Sequence, residues 1–266
     1  MKISVCGKGG SGKSVVTTLL AYEFKGRGYG VLVVDSDESN SGLFRMLGFA
    51  EPPVPIMEMV GGKAGLKERM SQGSSASKRA TKAEVLSLKK IRMGDIPPEY
   101  IKQRDGLRLI NIGKILQALE GCACPMGVLS REFLAKLSLN RDEIAIVDME
   151  AGVEHFGRGV ETSIDDVLVV VEPSFESVEL AGKVKQLAAD AGVRSAHAVL
   201  NKVSSNRMAA KLASELSKKG LSVIGTIYAS PDIFEACLEG RSLDGIAVTG
   251  IEEIVDSLLR RAEVRL

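Results

Sequence analysis

Gly7-Lys8-Gly9-Gly10-Ser11-Gly12-Lys13-Ser14 follows the short apolar run Ile3–Cys6 and precedes a helical pattern over Ser14–Lys25. The octet fits G-x-x-x-x-G-K-S, and a strand before it with a helix behind it is the setting that makes such a loop a phosphate cradle. Its glycines let successive backbone N–H groups turn toward phosphate oxygens. Lys13 reaches the β- and γ-phosphates, and Ser14 offers a hydroxyl to Mg²⁺. The helix that starts here adds the positive end of its dipole. Gly9, Gly10, Ser11, Gly12, Lys13 and Ser14 are therefore the candidate nucleotide-binding residues, with ATP and Mg²⁺ as the expected ligands.

Outward from this loop the chain alternates. Apolar runs at Val31–Val34, Leu107–Ile112, Ile144–Val147, Val167–Val171, Ala198–Leu200 and Val223–Ile227 are separated by helical patterns such as Gly127–Leu137, Val178–Ala191 and Met208–Lys218. Nearly continuous Val/Ile runs suit strands buried on both faces of a parallel sheet. The order predicts an α/β fold: a doubly wound, mainly parallel sheet with helices on both faces, right-handed crossovers, and ligands at the carboxyl ends of the strands. The 266 residues, 45% of them hydrophobic, fit one large domain. One segment breaks the rhythm. Residues 61–105 carry eleven Lys/Arg against five Asp/Glu, which reads as a solvated, basic helical insertion or as a docking surface for an acidic partner.

Composition narrows the rest. With 35 Lys+Arg against 34 Asp+Glu, no bulk field draws the chain to nucleic acid or an acidic membrane. Aromatics at 4% and no Trp argue against base-stacking platforms. No apolar run approaches a membrane span, and the N-terminus reads as a strand rather than an export signal. Four cysteines without such a signal fit a reducing, cytoplasmic setting in which thiols do chemistry.

Lys8 is a second lysine inside the loop. Lys-Gly-Gly-x-Gly-Lys-Ser resembles the deviant loop of the MinD/ParA/nitrogenase-iron-protein group of ATPases. That resemblance implies that Lys8 crosses a homodimer interface to the partner's phosphates. Val33-Val34-Asp35-Ser36-Asp37 ends a strand in two alternating carboxylates, an arrangement that serves Mg²⁺ and an attacking water. By the same resemblance Asp37 orients or activates the water and Asp35 joins Ser14 at Mg²⁺; the alternative is that one of the two carboxylates merely caps the loop. It also implies that Asp148, closing Ile144-Ala145-Ile146-Val147, holds Mg²⁺ through a water, that Gly152 meets the γ-phosphate, and that Asn201 bonds adenine. Lys8, Lys13 and Asp37 are thus the candidate catalytic residues. Asn201 also suits an ordinary turn.

Glu120-Gly121-Cys122-Ala123-Cys124-Pro125 carries separate chemistry. In an extended stretch residues i and i+2 share a face. Pro125 favours an extended Cys124 and suits the first position of the following helix, where thiols ionise more readily. Two thiolates do not complete a tetrahedral site. The simplest completion is the same pair from a second chain, with zinc, nickel, copper(I) or an iron–sulfur cluster as the occupant. The alternative is that both cysteines simply pack as small hydrophobes, as Cys6 and Cys237 are expected to do.

Together with the loop, Asp35-Ser36-Asp37-Glu38-Ser39-Asn40, Cys122-Ala123-Cys124-Pro125 and the run Val147-Asp148-Met149-Glu150-Ala151-Gly152-Val153-Glu154-His155-Phe156-Gly157-Arg158-Gly159 resemble the carbon monoxide dehydrogenase maturation ATPases of the CooC type. The resemblance implies a metallochaperone that hydrolyses ATP to insert nickel into carbon monoxide dehydrogenase. It also implies a homodimer bridged by Ni²⁺ or Zn²⁺ at Cys122 and Cys124. Two other outputs remain open: an ATP-dependent iron–sulfur reductase or cluster carrier, and a MinD/ParA-like spatial switch. For the switch, Ile251, Ile254, Val255, Leu258 and Leu259 at helical spacing would have to meet a membrane surface. Their mixed polar face reads better as a helix docked on the core. His155 reads as a structural histidine, with relay of the nucleotide state or transient metal ligation as alternatives. His197 reads as structural.

Overall fold

A computed structural model of the chain describes residues 1–39, 41–74, 86–114, 124–193 and 195–263. Eight strands form one sheet in the order β3-β4-β2-β5-β1-β6-β7-β8. They are β1 (Lys2–Gly7), β2 (Gly30–Ser36), β3 (Lys102–Arg104), β4 (Leu107–Asn111), β5 (Glu143–Met149), β6 (Asp166–Val171), β7 (Ala196–Val203) and β8 (Val223–Tyr228). Every pairing is parallel except that of β3 with β4. All seven runs expected as strands are strands, and the fold is the doubly wound sheet that their order predicts.

Both faces of the sheet are covered, which explains the continuous apolar runs. Along β2 and β5 alternate residues belong to opposite cores. Leu32, Val34, Ala145 and Val147 pack with α4 (Cys124–Lys136), α6 (Phe175–Asp190) and α7 (Asn206–Lys218). Val31, Val33, Ile144 and Ile146 pack on the other face with α1 (Lys13–Gly26), α8 (Pro231–Glu239) and α9 (Ile251–Glu263). Val16, Leu20 and Phe24 of α1 are fully buried there, each contributing about 1.5–3 kcal/mol. In α9, Ile251, Ile254, Val255 and Leu258 are buried as well, so this helix spends its apolar face on the core as expected. Short helices α2 (Leu43–Met46) and α5 (Glu154–Gly157) and the longer α3 (Gly62–Ser74) complete the set. No helix among the described residues is long and apolar enough to cross a membrane.

The 61–105 segment differs from a solvated helical insertion. It contains α3, but Leu66, Leu86, Ile91, Met93 and Ile96 are buried in the main core, and β3 extends the sheet as an antiparallel edge strand. Lys102-Gln103-Arg104 has no apolar signal because an edge strand faces water along its length. A second difference lies at α4. The helix starts at Cys124 itself, with Pro125 in its first turn, so Cys124 is helical rather than extended. Cys122 lies outside the described residues, as does the side chain of Cys124.

Candidate functional site

Strand parity decides which residues meet. Asp35 and Asp148 are register partners on β2 and β5, and both fall on the face covered by α1. Asp148 is fully buried and takes its hydrogen bonds from that helix: Ser14 Oγ donates at 2.6 Å and Thr17 Oγ1 at 3.3 Å. Burial, then the neighbouring Asp35, pushes the Asp148 carboxyl up to about 7, against the pull of the Ser14 hydroxyl. Asp35 is pushed to about 6, chiefly by burial. Lys114 opposes this rise; its Nζ lies 2.7 Å from Oδ2. Lys114 also donates to the carbonyl of Asp37. Asp37 is buried, and its Oδ1 accepts from Ser39 N at 3.0 Å and Ser39 Oγ at 2.7 Å.

The loop between β1 and α1 is braced from two sides. Gly152 N donates to Gly7 O at 3.2 Å, which seats the segment after β5 directly on the loop. From β7, Asn201 Nδ2 donates to Ser11 O at 2.8 Å, and Lys202 Nζ donates to Gly10 O. Gly12 has φ of 90°, and an added Cβ would stand 2.3 Å from Asn201 Nδ2, so glycine is required there on two counts. Gly12 is also the N-cap of α1 and supplies no side-chain cap; the first N–H groups of the helix are left for a ligand. Ser11 Oγ is buried with no partner among the described residues.

These features fit a magnesium nucleotide. The uncapped helix start suits phosphate, and Ser14, Asp35 and Asp148 offer only oxygen donors, the set a hard cation takes. Among the described residues no group of three or more His, Cys, Asp or Glu forms a further metal cluster. The expected Ni²⁺ or Zn²⁺ position falls at the cysteine pair, outside the described residues.

Most sequence-derived residues converge here: Gly9 to Ser14 form the loop and the start of α1, Gly152 and Asn201 bond to the loop, Asp148 is bonded by Ser14, and Asp35, with Asp37 two residues on, lies beside Asp148 in the sheet. Lys8 is turned toward its own chain, with Nζ 3.5 Å from Glu172 and 3.8 Å from Glu176. Asn201 places one amide N–H on the loop; the amide's second N–H and its Oδ1 remain the groups that could meet a base. His155 is buried, with Nδ1 bonded to the buried Glu161, while its Nε2 has no hydrogen-bond partner among the described residues. His197 is structural, between Ser195 at 2.7 Å and Ser222 at 2.8 Å. Cys6 is buried, which raises its thiol pKa, and Cys237 is half-buried. Sequence reading missed Lys114, Thr17 and Lys202. Lys114 stands just past the carboxyl end of β4, where a parallel sheet keeps its ligands, and that position was its one signal.

The chain is similar to known proteins over nearly its full length. A family described as CobQ/CobB/MinD/ParA nucleotide binding domain matches residues 3–243. An uncharacterized ATP-binding protein of Methanocaldococcus jannaschii is 38% identical over 98% of this chain and 100% of its own length. The carbon monoxide dehydrogenase accessory protein CooC of Rhodospirillum rubrum is 32% identical over 77% of this chain and 75% of its own. Among solved structures, the septum site-determining protein MinD of Pyrococcus horikoshii, complexed with Mg-ADP, superposes with a TM-score of 0.68 at 17% identity, covering 100% of this chain and 98% of that one.

Proposed function

We propose, from the premise that this chain belongs to the CobQ/CobB/MinD/ParA nucleotide-binding family, that it is a metallochaperone using ATP to insert nickel into carbon monoxide dehydrogenase. The coarser part is plain: it is a P-loop ATPase. The observation that carries the finer part is the 32% identity to CooC over three quarters of both chains, together with the Cys122-Ala123-Cys124-Pro125 segment.

In this reading the chain's own groups divide the work. Backbone N–H groups of the loop and Lys13 hold the phosphates. Ser14, Asp35 and Asp148 would hold Mg²⁺, which supplies charge neutralisation at the phosphates when bound. Asp37 accepts a proton from the attacking water. Two chains close on ATP, and Lys8 leaves Glu172 and Glu176 for the partner's phosphates. Cys122 and Cys124 from both chains hold the cargo ion as four thiolates. A structural zinc site is worth ~10–16 kcal/mol, so a delivery site has to be weaker or strained open. The nucleotide cycle is the source of that strain.

Anaerobically purified protein tests the reading by light scattering and elemental analysis. About one nickel or zinc ion per dimer is expected, as a four-ligand site requires, with both metal and metal-driven dimerisation lost in Cys122→Ser. A wild type that takes up neither ion and pairs only with ATP would overturn it. Iron with visible absorption would move the reading to a cluster carrier or reductase. Client loading that survives Cys122→Ser, Cys124→Ser would refute the delivery step.

A further inference from the structure

Arg158 touches three parts of the molecule. It follows α5, and its Nη1 lies 2.6 Å from Glu150 Oε1 and 3.7 Å from Glu38 Oε1. Glu150 stands two residues after Asp148, and Glu38 directly follows Asp37. One guanidinium therefore spans the loop after β5 and the loop after β2, the two loops that carry the groups for Mg²⁺ and the attacking water.

Its other attachment is to α4. A Cβ added at Gly127, in the first turn of that helix, would stand 2.3 Å from Arg158 Cδ, 3.1 Å from its Cβ and 3.2 Å from its Cγ. The aliphatic stem of Arg158 thus fills the place a side chain would take at residue 127. One turn further along α4, Arg131 Nη1 donates to the carbonyl of Arg158 at 3.1 Å. Arg158 is gripped by α4 through both its side chain and its backbone. The segment that carries it is itself fixed: His155 and Glu161, on either side of Arg158, are buried and bonded to each other.

The two carboxylates are unequal partners. Glu150 is in close contact, whereas Glu38 sits at the limit of an ion pair. Burial and then Glu150 push the Glu38 carboxyl up to about 7, with Arg158 and Lys63 opposing. Of the two contacts, the one to Glu38 breaks at the smaller cost. A relay of state requires two discrete arrangements; Arg158 on both loops, as here, and Arg158 on Glu150 alone would be such a pair.

We propose that Arg158 is the positioning residue through which the state of both loops reaches the first turn of α4, where Cys124 stands. Its bearing on metal rests on the metal-carrier reading above; the relay itself does not. Coupling is reciprocal. Whatever bias a nucleotide places on the start of α4, an ion bound there places on the nucleotide.

The test compares full-length wild type, Arg158→Met, Arg158→Lys and Gly127→Ala, each with Mg-ADP and with a non-hydrolysable ATP analogue. The first readout is hydrogen exchange of the amides of residues 126–131. Wild type is expected to differ between the two nucleotides by about five-fold or more, the lower end of ordinary couplings. Arg158→Met should abolish the difference, and Arg158→Lys should restore part of it by keeping one ion pair. Gly127→Ala keeps every charge and favours helix, yet places a methyl where Arg158 lies, so it too should shrink the difference; it serves even if Arg158→Met does not fold. A wild type without the difference, or an undiminished difference in Arg158→Met, would overturn the relay. The second readout is the affinity for NiCl₂ in the same two nucleotide states. Nickel binding whose nucleotide dependence survives Arg158→Met would defeat the relay and leave the carrier reading standing. A wild type that binds neither NiCl₂ nor ZnCl₂ but shows the Arg158-dependent exchange difference supports the relay and defeats the carrier reading.

Discussion

β6, β7 and β8 each hand the chain to a helix that begins with serine, whereas β1 hands it to a helix that begins with nothing of the kind. Ser174, Ser205 and Ser230 accept from the N–H three residues on, at Ser177, Met208 and Ile233, each at 3.3 Å. α1 starts at Gly12 with no side-chain cap. On the same side of the sheet Asp35 and Asp148 are buried side by side with raised pKa values, while no strand of the β6–β8 half carries such a pair. One half of the sheet meets its own polar needs. The other leaves donors uncapped and carboxylates poorly solvated, needs that a magnesium nucleotide bound there would meet. Local rules of stability are broken where the chemistry is.

The contrast breaks most sharply at Lys13, the buried first residue of α1. Lys13→Ala should lower steady-state phosphate release by about 10²–10³ or more, the scale of one lost charge-stabilising donor. Phosphate release within a few-fold of wild type would place the chemistry elsewhere. Next comes Lys114, the counter-charge for Asp35. Lys114→Met leaves that buried carboxylate alone and should cost about 3–5 kcal/mol at pH 8, read by urea unfolding. The loss should shrink as pH falls through the raised pKa of Asp35, because the protonated acid needs no cation. Adding Asp35→Asn should recover most of it; equal losses in the single and double variants would show that the pair is not coupled.

Asp148 gives the pH test. Its carboxyl ionises near 4 when unfolded and near 7 when folded, so the folded state holds the proton longer. In nucleotide-free protein its contribution to stability therefore falls as pH rises from about 4 to about 7 and is level above that. Asp148→Asn removes this slope. The variant should match wild type near pH 4 and exceed it at pH 8 by roughly 2–4 kcal/mol, while losing hydrolysis. A variant no more stable than wild type at pH 8 would mean the burial penalty is met by other groups.

Much of the open half was legible in the sequence because its signals are local. The glycine-rich octet, the strand before it and the carboxylates at two strand ends are each a few residues long. The fold followed from continuous Val/Ile runs, whose meaning is burial on both faces. What could not be read was set by distance in the chain. Lys114 meets Asp35 only because β4 lies beside β2. Thr17 reaches Asp148 only because strand parity turns that carboxylate toward α1. β3 carries no apolar signal because it borders water. The helical start of α4 at Cys124 went against the expectation from Pro125, since a proline is also tolerated within a helix's first turn.

The smallest effect tests the closed half. Ser205 is extended, with φ of −162°, and its side chain accepts from Met208 N. α7 buries Leu212 and Leu216, and at its start Met208 and Ala209 are only partly buried against the core, so the cap shares in holding that end. Ser205→Ala should cost about 1 kcal/mol in urea unfolding and leave kcat and KM for ATP unchanged. Gly12→Ser is the converse: it offers α1 the cap that the other helices have. With φ of 90° and Asn201 Nδ2 at 2.3 Å from any Cβ, the serine cannot adopt the extended cap conformation without moving the loop. Stability and hydrolysis should therefore fall together. A Gly12→Ser protein that melts later than wild type and still hydrolyses ATP would mean that the bare start of α1 is an accident of packing rather than the place kept for phosphate.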